Sequence, residues 1–194
     1  MFRKTMFSIC LLLFASDGFA AGWGLDAKAS SLAFVSIKKS SVAEVHHFER
    51  LRGSLSDKGQ LRMEIALGSV ETGIPIRNSR MTSMLFEVAK FPKAEITASV
   101  SPKIIEDLSI GRSVRSRQTL TMSLHGNQHD IEADVLLIRL ADDSLVVTSV
   151  NPIVINASDY DLAEGIERLR GIAKLPRIAT AVPVTFQLTF VPVH

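Results

Sequence analysis

Residues 181–190 read Ala181-Val182-Pro183-Val184-Thr185-Phe186-Gln187-Leu188-Thr189-Phe190. Val182, Val184, Phe186, Leu188 and Phe190 alternate with Pro183, Thr185, Gln187 and Thr189, so one face of a strand is apolar and the other polar. The same period of two runs through Gln60–Leu67, where Leu61, Met63, Ile65 and Leu67 share a face. It returns at 119–124, where Leu120, Met122 and Leu124 alternate with Thr119, Thr121 and Ser123. One buried and one wetted face per strand is the pattern of antiparallel sheets. Further strands are expected at 31–38, 43–56, 94–101, 130–140 and 144–155. Phe48 and Leu51 have opposite parity, so a bulge between them is expected to return both to one face.

Two segments follow helical spacing instead. Leu162, Ile166, Leu169 and Ala173 mark one helical face, Asp161 with Glu164 resembles a capping box, and Pro176 stops the run. Arg77–Phe86 places Met81, Met84 and Leu85 on one side. Many strands with two short inserted helices predict an all-β fold, a closed antiparallel barrel of about eight strands with helical flaps. Such a barrel either fills its interior with side chains or holds one small ligand. Periodicity alone leaves both open.

Composition narrows the function. The chain has 194 residues, 22 Lys and Arg against 20 Asp and Glu, and 6% aromatic residues. A formal charge of +2 provides no broad basic field, which argues against nucleic acid as the partner. Length and composition fit one domain of ordinary globular type.

The N-terminus reads as an export address. Arg3 and Lys4 precede the apolar run Met6–Ala15, and Gly18-Phe19-Ala20 offers small residues for a peptidase. The apolar run is about half the length of a membrane span. Residues 1–20 are therefore expected to be a signal peptide cleaved near Ala20, with residues 21–194 forming the domain. Cleavage there removes Cys10, the single cysteine, and with it any disulfide or thiolate ligand.

Signals for catalysis are thin. His46 and His47 are adjacent on a strand and point to opposite faces. His125 and His129 flank Gly126-Asn127, a turn, so no metal is expected. Ser36-Ile37-Lys38-Lys39 matches S-x-x-K, a loose pattern, and no G-x-S-x-G is present. Ser36, His46 and Ser149 are the only candidates for a hydrolytic or quinone-modifying site inside the lumen. Arg112, Arg115 and Arg117 form a local basic cluster. Arg115 and Arg117 share a strand face and are candidates to seat an anionic headgroup at the barrel mouth.

Several ordered motifs then resemble one family. Trp23-Gly24-Leu25-Asp26 and Ser30-Ser31-Leu32-Ala33-Phe34 look like a first strand pair. Phe48-Glu49-Arg50-Leu51-Arg52-Gly53 follows F-x-x-hydrophobic-x-G. Ser69-Val70-Glu71-Thr72-Gly73, Arg77-Asn78, Met81 and Leu85-Phe86-Glu87-Val88-Ala89-Lys90-Phe91-Pro92 follow S-x-x-T-G, R-D-x-x-L and F-F-D-V-x-x-Y-P. Leu124-His125-Gly126 sits where the family has its L-x-L-H-G turn. The chain resembles the YceI-like proteins, exported lipocalin-like barrels described as binding polyisoprenoids. Three departures stand out: Asn78 in place of the usual Asp, His46 where Gly is frequent, and Gly126-Asn127-Gln128 in place of G-V-T.

The resemblance implies a periplasmic carrier that holds an elongated apolar ligand in its lumen without catalysis. The ligand class is a polyisoprenoid, an isoprenoid quinone or a fatty-acid-like amphiphile, passed to or from a membrane by transient contact. No cofactor is implied beyond that ligand. Parity assigns the lumen to Phe34, Phe48, Met63, Ile65, Leu67, Leu120, Met122, Phe186, Leu188 and Phe190. Met81, Met84, Leu85 and Phe86 are expected to close one side as a flap. The rival reading is an envelope-stress interaction protein with a filled barrel, acting through its surface or a homodimer interface.

Overall fold

A computed structural model describes residues 22–193. The expected signal peptide and Cys10 lie outside the described residues. Among the described residues, twelve strands and three short α-helices follow one another. The first half contains β1 (Gly22–Leu25), β2 (Ser31–Lys38), β3 (Val42–Phe48), β4 (Leu51–Ser56), β5 (Gln60–Ala66) and β6 (Val70–Glu71). Helix α1 (Pro75–Arg80) widens into a π turn over Met81–Leu85 and is followed by β7 (Lys93–Ser99). Then come α2 (Pro102–Glu106), β8 (Ser113–Leu124), β9 (Asn127–Arg139), β10 (Leu145–Ser149) and β11 (Ile153–Asn156). A 3₁₀ turn over Ala157–Tyr160 leads to α3 (Ala163–Ile172) and the long β12 (Ala181–Val193).

The C-terminal alternating segment closes the barrel. Along one edge β12 pairs with β11, Ile153 opposite Val184, and then with β10, Leu145 opposite Phe190. Along its other edge it pairs with β2, Phe34 opposite Val184, and with β1, Leu25 opposite Phe190. β1 and β2 thus act as one interrupted strand, as do β3 with β4, β5 with β6, and β10 with β11. Counted this way the sheet is an eight-stranded closed antiparallel barrel of lipocalin-like form.

The interruptions correct two expectations. Residues 43–56 are not one bulged strand: pairing stops at Glu49 and Arg50. Their amides are taken by Ser69, Glu49 N–H donating to its carbonyl at 3.1 Å and Arg50 N–H to its Oγ at 3.0 Å. The break still turns both Phe48 and Leu51 toward the core, as their parity demanded. Residues 144–155 likewise divide at 150–152, where Pro152 has no amide hydrogen to continue a ladder.

The capping box is also corrected. Asp161 stands outside α3 in a left-handed conformation, φ 54°, and its carboxylate accepts from Asn127 Nδ2. The N-cap of α3 is Leu162, which makes no side-chain cap. A third helix, α2, goes beyond the two expected.

The interior divides along the barrel axis. At one end Leu55, Met63, Leu137, Leu145, Leu188 and Phe190 are buried and fill the lumen. Ile105 of helix α2 and Leu108, just after it, plug this end. Arg139 holds the plug by donating to both of their carbonyls at 3.1 Å. The other end is covered by the π turn and α3, and there the filling is incomplete.

Candidate functional site

Beneath the π turn and α3 lies a partly open cavity of about 160 Å³ whose wall presents no polar surface. Leu32, Phe34 and Phe48 come from β2 and β3. Ile65 comes from the end of β5 and Leu67 from the 3₁₀ turn that follows it, Leu120, Met122 and Leu124 come from β8, and Val182, Val184 and Phe186 come from β12. Met81, Leu85 and Phe86 close it from above together with Leu162 and Ile166. An apolar void of about 150 Å³ stays dry and admits benzene or xenon, so this one has room for a comparably small apolar group.

Ten of the fourteen residues assigned to the lumen line this cavity: Phe34, Phe48, Ile65, Leu67, Met81, Leu85, Phe86, Leu120, Met122 and Phe186. Met63, Leu188 and Phe190 do not; they are core in the filled half. Met84 is half-buried and lies outside the lining, because the turn that carries it is a π turn, Phe86 N–H donating to Met81 carbonyl at 2.9 Å. A wider turn keeps Met81 and Leu85 inward and rotates Met84 away. Val182, Val184 and Leu124 also belong to the lining and share the alternation of Phe186, Leu120 and Met122 beside them. Ile153, Ile155 and Ile131 come from strands whose facing only the pairing reveals.

Arg115 and Arg117 are not at the mouth. Both are exposed on the outer face of β8, at the end away from the cavity, and Arg117 pairs with Asp134 at 2.8 Å. The side chain of Arg117 is 70% exposed. Their parity opposes that of Leu120 and Met122, which fixes them outside.

The cover is tied down by polar contacts. Arg168 of α3 donates to the Met84 carbonyl at 2.8 Å and pairs with Glu164 at 3.0 Å. Glu87 lies 3.8 Å from the same guanidinium and 3.5 Å from His125 Nε2. His125 occupies the β8–β9 turn with φ 52° and packs against the Phe91 ring at a tilt, while His129 bonds the Asp159 carbonyl at 2.8 Å. These histidines do not converge.

Three rings line the cavity in a row, Phe86 to Phe48 at 5.9 Å and Phe48 to Phe34 at 5.3 Å, and a fourth, His46, continues it at 5.2 Å. His46 faces inward opposite Phe34 and is 2% exposed, while His47 points outward, as the strand period required. Of the three loose polar candidates the fold joins two: Ser36 Oγ lies 2.8 Å from His46 Nε2. Ser149 is elsewhere, accepting the Phe186 amide at 3.2 Å. His46 Nδ1 has no partner among the described residues. Burial, and then the Arg77 charge, hold the His46 imidazole below its ordinary range.

Beyond Ser36 the inward row turns ionic. Glu44 accepts from Lys38 at 2.8 Å and from Arg77 at 2.7 Å, and Arg77 also donates to the Thr72 carbonyl at 2.6 Å. Asn78 accepts from the Thr72 amide at 3.0 Å and donates to Glu71 at 2.8 Å. An Asp could accept but not donate, so Asn78 suits the carboxylate beside it.

The comparisons agree with this geometry. A polyisoprenoid binding domain from Saccharophagus degradans, implicated in plant cell wall breakdown, is 39% identical, with a TM-score of 0.87 over 89% of this chain and 99% of that one. BcnA of Burkholderia cenocepacia superposes with a TM-score of 0.66 at 16% identity, over 85% and 98% of the two chains. The YCEI protein of Campylobacter jejuni does so with 0.52 at 13% identity, over 77% and 84%. These last two share the fold. Among curated proteins none matches the chain. The YceI-like domain matches residues 23–190, and the chain belongs to that family.

Proposed function

We propose that this protein is an exported, non-catalytic carrier that holds the chain of an isoprenoid or similar apolar amphiphile in the covered half of its barrel. The observation that carries the reading is the wholly apolar, partly open cavity beside a fully packed opposite end. A barrel needing only a core would be filled throughout. The 39% identical neighbour is named for polyisoprenoid binding, which supports the same ligand class. Export follows from the expected signal peptide, with a periplasmic location and transient membrane contact for loading.

Physical magnitudes fit a carrier. Each buried methylene-sized group contributes about 0.8 kcal/mol, so one five-carbon isoprene unit supplies about 4 kcal/mol without any polar contact. A chain of several units exceeds the present cavity, so binding one entails displacement of the π turn and α3. Their mutual contacts make them move as one cover.

Titration with retinol, an isoprenoid alcohol that fluoresces more strongly when removed from water, tests the reading. Saturable enhancement that is lost in Met122→Trp supports it. Absence of enhancement with the folded protein rejects it in favour of a filled barrel acting through its surface or a dimer interface.

A further inference from the structure

The cavity end of the barrel carries an exposed tip built from two chain segments. There the β2–β3 turn meets the loop that follows α3. Lys39 N–H donates to the Arg177 carbonyl at 3.1 Å, Ala179 N–H donates to the Ile37 carbonyl at 2.9 Å, and Lys38 stands opposite Ile178. Neither segment holds a carboxylate: residues 27–43 and 168–180 contain no Asp or Glu. Lys38, Arg168 and Arg170 are paired with Glu44, Glu164 and Glu167. Lys39, Lys174 and Arg177 are exposed and form no ion pair among the described residues. Apolar side chains break the surface beside them. Ile172, at the end of α3, is 43% exposed, and Val42, at the start of β3, is 41% exposed. Ile76 of α1 is 57% exposed, and its neighbour Arg77 ties that helix to Glu44, two residues past Val42.

Unpaired cations gain from an anionic neighbour, and exposed branched side chains gain from leaving water. The headgroup region of an anionic bilayer supplies both at once: the apolar groups enter the acyl boundary while Lys and Arg stay at the phosphates. A fluid surface also moulds around single side chains from separate elements, whereas a protein partner needs one contiguous complementary patch. The filled end has the opposite balance. Ile110 and Leu140 are exposed there too, but Asp57, Glu106, Asp107, Asp142 and Asp143 outnumber Lys58, Lys103, Arg112 and Arg139. A negative surface therefore attracts one end of the barrel and not the other. We propose that the tip formed by the β2–β3 turn, α1 and the loop after α3 docks the barrel, cavity end first, on an anionic bilayer. The proposal rests on the carrier reading. Helix α3 covers the cavity with Leu162 and Ile166 and runs on to Ile172 at the docking face, so a docked barrel turns its cover toward the lipid.

Cosedimentation with lipid vesicles is the test. Vesicles of phosphatidylcholine with about one-third phosphatidylglycerol are compared with phosphatidylcholine alone at about 0.1 M salt, where exposed charges act over about 10 Å. The wild type is expected to prefer the anionic vesicles and to lose that preference at about 1 M salt. Each basic residue near an anionic surface strengthens binding about fivefold, so Lys39→Gln, Lys174→Gln and Arg177→Gln together are expected to weaken it about a hundredfold. Lys174→Gln alone, about fivefold weaker, decides the matter if the triple variant does not fold. Ile172→Ser is expected to weaken binding to both kinds of vesicle, and Ile110→Ser at the filled end to leave it unchanged. None of the three cations lines the cavity, so retinol binding in free solution should be the same in the triple variant. No preference for anionic vesicles, wild-type sedimentation of the charge variants, or equal losses in Ile110→Ser and Ile172→Ser each overturns the docking proposal while retinol still binds. Sedimentation with anionic vesicles by a wild type that fails to bind retinol overturns the carrier reading instead.

Discussion

Gly165 of α3 sits so close to Leu85 of the π turn that a Cβ on it would lie 3.0 Å from the Leu85 Cα and 2.9 Å from the Met84 carbonyl oxygen. Backbone meets backbone here, and no rotamer change relieves the contact. The cover over the cavity therefore depends on a residue without a side chain, although glycine weakens a helix by about 1 kcal/mol relative to alanine. Gly165→Val is expected to lever α3 off the π turn, lower stability by about 1–3 kcal/mol and accelerate ligand exchange. Urea unfolding and retinol release rates check both parts. A variant as stable as the wild type, with unchanged release, would show that the two segments do not form one cover.

The two halves of the barrel should answer truncation differently. Phe190 is 1% exposed in the filled half, where Phe190→Ala is expected to cost about 3–5 kcal/mol. Met122 borders the cavity, so Met122→Ala enlarges an existing void and should fall near the lower end of the range, about 2 kcal/mol. Retinol affinity should change in Met122→Ala and remain the same in Phe190→Ala. Denaturant titrations with and without ligand separate the cases.

Filling the cavity should trade binding for stability. Ile131→Phe adds volume to the apolar lining without introducing a polar atom. The ligand-free protein is expected to melt at the same temperature or above the wild type, with retinol binding weakened by at least about tenfold. Undiminished binding would place the ligand elsewhere.

His46 should give stability a pH dependence. Burial and the Arg77 charge hold the folded imidazole below its ordinary value of 6.5. As pH falls through 6.5 the unfolded chain takes up a proton that the folded protein refuses, so the unfolded state gains. Stability is therefore complete above 6.5, declines as pH drops toward the lowered folded value, and levels off below it. Denaturation midpoints between 6.5 and the carboxylate range should slope in the wild type, with this component missing in His46→Gln. Equal slopes would refute the assignment.

Reversing the outer arginines should leave binding unchanged. Arg115→Glu with Arg117→Glu removes an exposed ion pair to Asp134, and such pairs contribute at most about 1 kcal/mol. Affinity for retinol and for geranyl pyrophosphate should match the wild type in competition assays.

How much of this was legible in the sequence depends on whether local spacing or remote pairing sets the feature. The β12 alternation and the Leu120, Met122 and Leu124 face follow from local spacing, and they place the lumen correctly. Parity also opposes Arg115 to Leu120, so the outward direction of the arginines was readable there, although the headgroup expectation set it aside. Distance along the barrel axis was not readable: Met63, Leu188 and Phe190 share parity with cavity residues and differ only in depth. The Glu49–Arg50 break depends on Ser69, about twenty residues onward in the chain, so no local pattern announces it. The meeting of Ser36 with His46 arises from the β2–β3 register, and the sequence offered these residues only as unconnected candidates.

The central claim is that this barrel carries an apolar chain. It is tested most directly by native mass spectrometry of the protein purified from its native host, followed by organic extraction of the released adduct. A retained mass that extracts as an isoprenoid chain, and that disappears in Ile131→Phe, is the expected result. A bare polypeptide mass in the wild type, with no uptake after incubation with prenyl lipids, would contradict it.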